Sequence, residues 1–444
     1  MKRLLINIMT ISLLLTACDT SYEEKVELYQ LKVVLADKAH PEKSFQGATL
    51  ELRGIGRDAI FTDTADAKGE VTFSVPSGIY EATSQHITRI KNGINNVEIS
   101  NGTSGQIVVG REKATSIVLN MVSAKMSQLV IKELYNGGIT KDNGQAFQSD
   151  KCFILYNNSN TVATYDNLCV GIISPYNSHA GNKWYDNDGK LIYESEGYLP
   201  ALDGIWFFPQ DLTLQPYSQV VVNCHGAIDN TQTYPQSVNY ANSDYYCMYD
   251  PETGYVNSMY YPTPSSVIPA SHYLKAAKIG ISNAWALSVM SPALVIFQVK
   301  GTTPREFATN VSNLTYTPKA KQDDINKVLK IPVEWVLDGI EVFMTTAKNA
   351  NQKRLTSQVD AGSVGLTNQH GHTLYRNVDK EATEQLPENA GKLVYNYQLG
   401  VEPTTDPSGI DAEASAKNGA HIIYMDTNNS TTDFHERLKC SLRE

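Results

Sequence analysis

The sequence predicts an all-β chain built as two β-sandwich domains, a small one followed by a larger one with long insertions and one or two short helices. Three observations carry this. Short apolar runs alternate with polar residues at period two, and turn-forming residues separate them at the spacing of sandwich strands. Tyrosine, which favours strands and wet interfaces, reaches 25 residues against 9 Met and 4 Trp. A length of 444 residues with 41% hydrophobic content is material for two domains or three.

The chain opens with Lys2 and Arg3 followed by an apolar stretch over 4–15, broken only by Asn7, Thr10 and Ser12. A charged start, a short apolar run and small residues before a cysteine read as a secretory signal, too short to span a bilayer. Leu15-Thr16-Ala17-Cys18 resembles the lipobox of bacterial lipoproteins. That resemblance implies cleavage after residue 17 and diacylglycerol on the Cys18 thiol, with acylation of the new amine. Residues 18–26, with Asp19, Glu23 and Glu24, form an acidic tether that cannot begin a packed core. Acidic residues at that place are similar to the surface-export signal of Bacteroidetes lipoproteins, so the expected location is the outer membrane, lipid-anchored, on its extracellular face.

From 27 to 123 the chain reads as a small sandwich. Leu50 and Leu52 face one way and Thr49, Glu51 and Arg53 the other; Val71, Phe73 and Val75 alternate with Thr72 and Ser74. Further strands are expected at 97–100, 106–109 and 116–121. The run Asp66-Ala67-Lys68-Gly69-Glu70-Val71-Thr72-Phe73-Ser74-Val75-Pro76-Ser77-Gly78-Ile79-Tyr80 resembles the signature of carboxypeptidase-regulatory-like, prealbumin-like domains, with Gly69 and Gly78 expected at the turns. The resemblance implies a spacer or stalk. Asp63, Asp66 and Glu70 could ligate calcium there or simply be solvated.

Residues 124–444 read as the larger sandwich, with an insertion at 224–330. Leu129-Val130-Ile131-Lys132-Glu133-Leu134-Tyr135-Asn136, Phe153-Ile154-Leu155-Tyr156-Asn157-Asn158-Ser159 and Leu214-Gln215-Pro216-Tyr217-Ser218-Gln219-Val220-Val221-Val222 resemble successive strands of a lamin-tail domain. Trp335-Val336-Leu337-Asp338-Gly339-Ile340-Glu341-Val342, Thr373-Leu374-Tyr375-Arg376 and Ser430-Thr431-Thr432-Asp433-Phe434 resemble its later strand, closing motif and terminal turn, in the same order. Ile154 stands where that family has an acidic residue, and Tyr217 where it has glycine. The two-part arrangement is similar to an uncharacterised family of Bacteroidetes lipoproteins. It implies an immunoglobulin-like sandwich without a known catalytic site.

Five cysteines follow Cys18: Cys152, Cys169, Cys224, Cys247 and Cys440. An odd count allows at most two disulfides. A Cys224–Cys247 bridge would close a tyrosine-rich loop and add about 3 kcal/mol in the chain-entropy model, while buried free thiols are the alternative. Within the insertion, 269–278 is the best helical stretch, with Leu274, Ala276 and Ala277 among good helix formers, and Asp323 or Asp324 could cap a short turn.

Three constellations could carry function. Tyr234, Tyr240, Tyr245, Tyr246, Tyr249, Tyr255, Tyr260 and Tyr261 crowd a proline-rich part of the insertion, and rigid aromatic faces with hydroxyl tips suit a glycan or a protein groove. Packing against the sandwich core explains them equally. His370 and His372 would share one face of a strand and could grip a transition metal, although a solvent-facing loop is the plainer reading. Asp406, Asp411 and Glu413 could hold calcium or shape a turn.

The formal charge of −10 falls to −12 once Lys2 and Arg3 leave with the signal, which disfavours nucleic acid. There is no G-x-S-x-G elbow, no H-E-x-x-H and no phosphate-cradling glycine loop. The expectation is therefore a non-enzymatic binding or accessory lipoprotein without cofactor. Its partners would be the bilayer, through Cys18, and a glycan, protein or uptake receptor of the outer membrane. Alternatives are a metal-dependent hydrolase of surface polymers using His370 and His372, and a structural protein that assembles with itself.

Overall fold

The computed structural model describes residues 26–89, 97–111, 113, 115–123, 126–347 and 349–443. The signal 1–17, Cys18 and the tether up to residue 25 lie outside the described residues. What is described is mostly β-strand with a few short helices, although no strand forms between Arg376 and Phe434.

The N-terminal sandwich packs a three-stranded sheet on a six-stranded one. Leu28–Ala36 lies between Glu70–Pro76, antiparallel, and Ser116–Asn120, parallel. The second sheet runs Ile60–Thr64, Thr49–Ile55, Gly78–Arg89, Val97–Thr103, Val122–Ser123, with Ile107–Val109 beside the start of Gly78–Arg89. The expected inward residues Leu50, Leu52, Val71, Phe73 and Val75 do form one core with Leu31, Val33 and Leu35. Gly69 takes a left-handed φ of 73° at its turn. Gly78 serves differently: a Cβ there would lie 1.4 Å from the Arg57 guanidinium, so its bare backbone makes room for the bond Arg57 donates to the Ser77 carbonyl, at 2.6 Å.

The larger sandwich is built on a twelve-stranded sheet folded over on itself, with a two-stranded sheet (Ala163–Tyr165, Leu212–Leu214) and a three-stranded one (Tyr198–Ala201, Lys327–Pro332, Leu314–Tyr316) beside it. One layer runs Val364–Leu366, Val336–Met344, Ala293–Gln298, Leu168–Ile172, Gly204–Phe207, Tyr273–Lys278. Tyr246–Met248, paired in parallel on both sides, leads into the other layer: Gln219–Asn223, Cys152–Asn157, Leu129–Tyr135, Thr373–Arg376, Phe434–Arg437. Where the two ends meet, the Thr367 amide donates to Glu436 at 2.8 Å. Inside lie Ile131, Phe153, Leu155 and Val222 from one layer against Val170, Leu294, Ile296 and Ile340 from the other. The outer faces are covered too, so Leu129–Tyr135 is buried along its whole length.

The strands that resemble a lamin tail are neighbours: Leu129–Tyr135, Cys152–Asn157 and Gln219–Asn223 pair in succession, and Thr373–Arg376 pairs with the first. Asp338 and Arg376, from two separate motifs, form a buried ion pair across the layers, and Arg376 also donates to the Ile131 carbonyl at 2.7 Å. Tyr217 occupies the expected glycine position in a glycine-like conformation, φ 54°, which costs an ordinary residue about 1 kcal/mol. Its ring stacks on His421 at 4.5 Å, a contact glycine could not make.

Two expectations are corrected, and of the two alternatives for the cysteines the free thiols hold. Residues 224–330 are not peripheral to the sandwich, since Tyr246–Met248, Tyr273–Lys278 and Ala293–Gln298 are interior strands of the large sheet. The stretch 269–278 is not a helix: after a single turn at Ala270–His272 it is strand Tyr273–Lys278. Pairing on both sides overrides the helical propensity of Leu274, Ala276 and Ala277. No Cys224–Cys247 bridge forms, and all five described cysteines are buried free thiols. Cys224 points into the main core and Cys247 into a cluster on the outer face. Among the described residues five short α-helices occur, none longer than six residues, and Asp323 closes a turn with Asn326.

Candidate functional site

A cleft of about 840 Å³ lies between the two sandwiches. The N-terminal wall comprises the loop and strand start 103–107, the successive residues Ile117, Val118, Leu119 and Asn120, and Lys38 and Glu81. The opposite wall comprises residues of the stretch 185–195 and of the loop 353–357. Clefts between domains are favoured ligand sites because two rigid walls can converge polar groups on one volume.

Each wall is held by local chemistry. Asp186 accepts from the amides of Asp188 and Lys190, both at 2.9 Å, and Gly189 at φ 73° completes a tight turn. Helix Ile192–Glu196 follows, ending on Gly197 in the left-handed region. The loop 353–357 hangs from Glu341, whose carboxylate accepts from the amides of Arg354 at 2.7 Å and Leu355 at 2.8 Å while pairing with the Arg354 guanidinium at 2.6 Å. Lys353 turns inward, donating to the carbonyls of Asp360 and Gly362.

The two sandwiches are joined by buried polar contacts rather than by an apolar seam. Asn101 donates to the Thr427 carbonyl at 2.6 Å and Gln85 to the Thr427 hydroxyl at 2.9 Å, and within the larger sandwich the Ser127 amide donates to Asp426 at 2.7 Å. Arg53 lies over the Phe343 ring at 5.3 Å. Behind this seam Asp433 accepts from Thr427 and Asn429, and Arg376 faces Asp426 and Asp433 at 3.6 Å each. Burial pushes the Asp433 carboxyl up to about 6 against the pull of Arg376, and burial also raises Asp426.

Electrostatically the cleft is mixed. Glu81 is committed to Arg53 at 2.8 Å, and Asp186 to its turn. Desolvation raises the Glu194 carboxyl, partly offset by Lys190, and burial raises the Tyr185 hydroxyl, reinforced by Glu81. The lining mixes aliphatic side chains such as Ile117, Val118 and Ile192 with hydroxyls, amides, carboxylates and ammonium groups, and among the described residues it holds no histidine or cysteine. Such a set can grip a polar ligand by hydrogen bonds from two sides.

The residues singled out from sequence lie elsewhere. Among the eight tyrosines, Tyr240, Tyr255 and Tyr261 are core residues and none of the other five is more than half-buried surface. Tyr255 stacks on Trp206 at 5.7 Å, and the Tyr261 hydroxyl exchanges bonds with the Trp285 backbone, both at 2.9 Å. Tyr246 stacks on His272, Tyr249 meets Tyr273, Tyr260 meets His225 and Tyr234 meets Phe147; the Tyr245 carbonyl bonds His272. The core reading therefore describes this cluster better than a contact surface does. The exposed apolar residues of the segment are Val256 and Met259 instead.

The metal candidates are dispersed. His372 bonds Glu436 at 2.6 Å while His370 is exposed, and among the described residues no group of three His, Cys, Asp or Glu side chains could hold an ion. Asp406 accepts from the amides of Val378 and Ser408, Asp411 caps helix Ala412–Lys417 through the Ala414 amide, and Glu413 pairs with Arg437. In the N-terminal sandwich Asp66 accepts from the amides of Lys68 and Glu70, and Glu70 pairs with Lys32 at 2.6 Å. Each carboxylate already has a structural partner. The cleft carries no sequence signal because its walls come from segments some 60 to 320 residues apart, none carrying a motif.

Residues 215–396 match the model of a family described as protein of unknown function DUF4876. That region is similar to an uncharacterised family. A crystal structure of a DUF4876 family protein from Bacteroides thetaiotaomicron aligns over 91% of this chain and 94% of its own, at 20% identity and a TM-score of 0.49. A structure described as a candidate carbohydrate-binding protein from Pseudomonas aeruginosa aligns over 22% of this chain and 90% of its own, at 14% identity and a TM-score of 0.18. One described as a candidate adhesin from Bacteroides ovatus aligns over 62% and 79%, at 10% identity and a TM-score of 0.19. No curated protein matches the chain.

Proposed function

We propose that this protein is a lipid-anchored binding module of the outer membrane, facing outward, whose ligand site is the cleft between its two sandwiches. The observation that carries the reading is the cleft itself: about 840 Å³, walled on both sides by hydrogen-bonding groups. Clefts of this size hold ligands through apolar walls and a few well-placed polar groups. The ligand is a glycan, a protein or an uptake receptor of the same membrane. Leu15-Thr16-Ala17-Cys18 supports the anchor, and no helix among the described residues is long and apolar enough to cross a membrane. Acyl chains contribute about 0.8 kcal/mol per buried methylene, so a multiply acylated Cys18 would be held firmly.

The reading removes the tyrosine cluster from the ligand surface and gives it to the core. It also assigns no catalytic step, because the carboxylates of the cleft are split between ion pairing, turn formation and a desolvated helix position. Filling the cleft tests it. Ser195→Trp should abolish retention of the purified chain on the envelope of its own cells, while Ile325→Trp, at an exposed position outside the cleft lining, should leave retention unchanged. Equal retention of both variants would remove the cleft from the account.

A further inference from the structure

Strand Ser116–Asn120 closes its sheet and is paired on one side only, in parallel with Leu28–Ala36. The ladder fixes which groups that side uses. The Lys32 amide donates to the Thr115 carbonyl and the Met121 amide to the Ala36 carbonyl, both at 2.8 Å, so residues 115, 117, 119 and 121 turn toward Leu28–Ala36. In a parallel ladder the intervening residues turn the other way. Ser116 and Val118 therefore present their N–H and C=O groups outward, and among the described residues no backbone group pairs with them there. The outward carbonyl of Asn120 approaches Gly102 instead.

From Ile117 to Asn120 the outward side is the cleft, and Ser116 lies just beyond its lining. Successive side chains of a strand point to opposite faces, so a cavity lying over one face touches every second residue. This cavity touches Ile117, Val118, Leu119 and Asn120 in a row, which requires that it run along the backbone edge. Across it stands the turn 186–190. The walls meet where Gly105 approaches Gly189, so the edge is half enclosed and shielded from pairing with other copies of the chain.

Open edge groups in such a space demand partners at the repeat of a strand, two residues apart. Sugar hydroxyls do not follow that repeat, whereas an extended polypeptide does. We infer that the cleft takes an extended polypeptide segment of a partner protein, added as a further strand along Ser116–Asn120. The inference rests on the proposed ligand site and names the class of ligand it holds. Affinity then comes from main-chain bonds, and selectivity from side chains of the opposite wall such as Lys190 and Glu194.

Val118 permits a direct test because its side chain is 65% exposed and its N–H is unpaired, so proline there removes one outward donor at a position where edge strands tolerate it. Random linear peptides displayed on phage are selected on the full chain and measured against Val118→Pro, Val118→Thr and Ser195→Trp, with melting temperature as the folding control. The expected result is that selected peptides bind the full chain and Val118→Thr equally, bind Val118→Pro about tenfold or more weakly, and fail on Ser195→Trp. Hydrogen exchange at the amides of Ser116 and Val118 should slow on binding. Failure to select any peptide, or equal binding to Val118→Pro, overturns strand addition. If oligosaccharides of the envelope bind instead, and are blocked by Ser195→Trp but not by Val118→Pro, strand addition fails while the cleft stands as the ligand site. If neither probe is affected by Ser195→Trp, the ligand site itself fails.

Discussion

Gly105 of the N-terminal sandwich and Gly189 of the larger one touch backbone to backbone: a Cβ on Gly105 would lie 2.6 Å from the Gly189 carbonyl oxygen. A Cβ on Gly189, already at a left-handed φ of 73°, would lie 2.7 Å from the Gln106 amide nitrogen. Both residues line the cleft, so its width depends on the absence of two side chains. Gly105→Val should push the walls apart, costing about 1–3 kcal/mol as overpacking does. Small-angle scattering should report a larger radius of gyration for the variant, and an unchanged profile would show that the contact does not set the spacing.

Glu341 holds the wall formed by 353–357 through a fully buried pair with Arg354. Glu341→Ala leaves that guanidinium without its carboxylate in the interior, and breaking such a pair costs about 3–5 kcal/mol. Urea unfolding should show the midpoint falling by the corresponding amount. A loss under about 1 kcal/mol, the range of exposed pairs, would contradict the assigned burial.

Asp433 makes the join between the sandwiches pH-dependent. Its carboxyl, raised to about 6 from the usual value of 3.8, binds a proton more tightly folded than unfolded. Its contribution is therefore complete below about pH 4 and is lost as pH rises through about 6, with a size on the order of 3 kcal/mol. His435, pushed down to about 3 by burial, works oppositely, contributing above about 6.5 and losing that contribution as pH falls. The difference between the chain and Asp433→Asn isolates the first effect. Melting temperatures at pH 4, 5, 6 and 7 should show the parent losing stability relative to the variant as pH rises; a constant difference would refute the shift.

Tyr261 separates a core role from a ligand role for the tyrosine-rich segment. Tyr261→Phe deletes a hydroxyl that both donates to and accepts from the Trp285 backbone, leaving a buried amide unpaired at a cost of about 1–3 kcal/mol. Denaturation should detect that loss while retention on the cell envelope stays at the parent level. Lost retention at unchanged stability would restore the segment as a contact surface.

The small sandwich was legible because strands such as Thr49–Ile55 and Glu70–Pro76 bury one face, so Leu50, Leu52, Val71 and Phe73 announce themselves by alternation. The larger one was legible where motifs carry charge into the core, as Asp338 and Arg376 do. Residues 224–330 were misjudged because interior strands covered on both faces, such as Ala293–Gln298, lose the alternation that distinguishes strand from insertion. In Tyr273–Lys278, Leu274, Ala276 and Ala277 carry helical propensity into a strand whose neighbours impose its conformation. The cleft has no sequence signature, since Gly105, Val118, Gly189 and Ser195 become a site only once the two sandwiches meet.

The measurement that bears most directly on the central claim is photocrosslinking in intact cells from a photoreactive residue at position 195, inside the cleft, compared with one at exposed position 325. The expected result is a discrete adduct from position 195, suppressed by Gly105→Val, and none from position 325. Adducts from both positions alike, or from 325 alone, would contradict it.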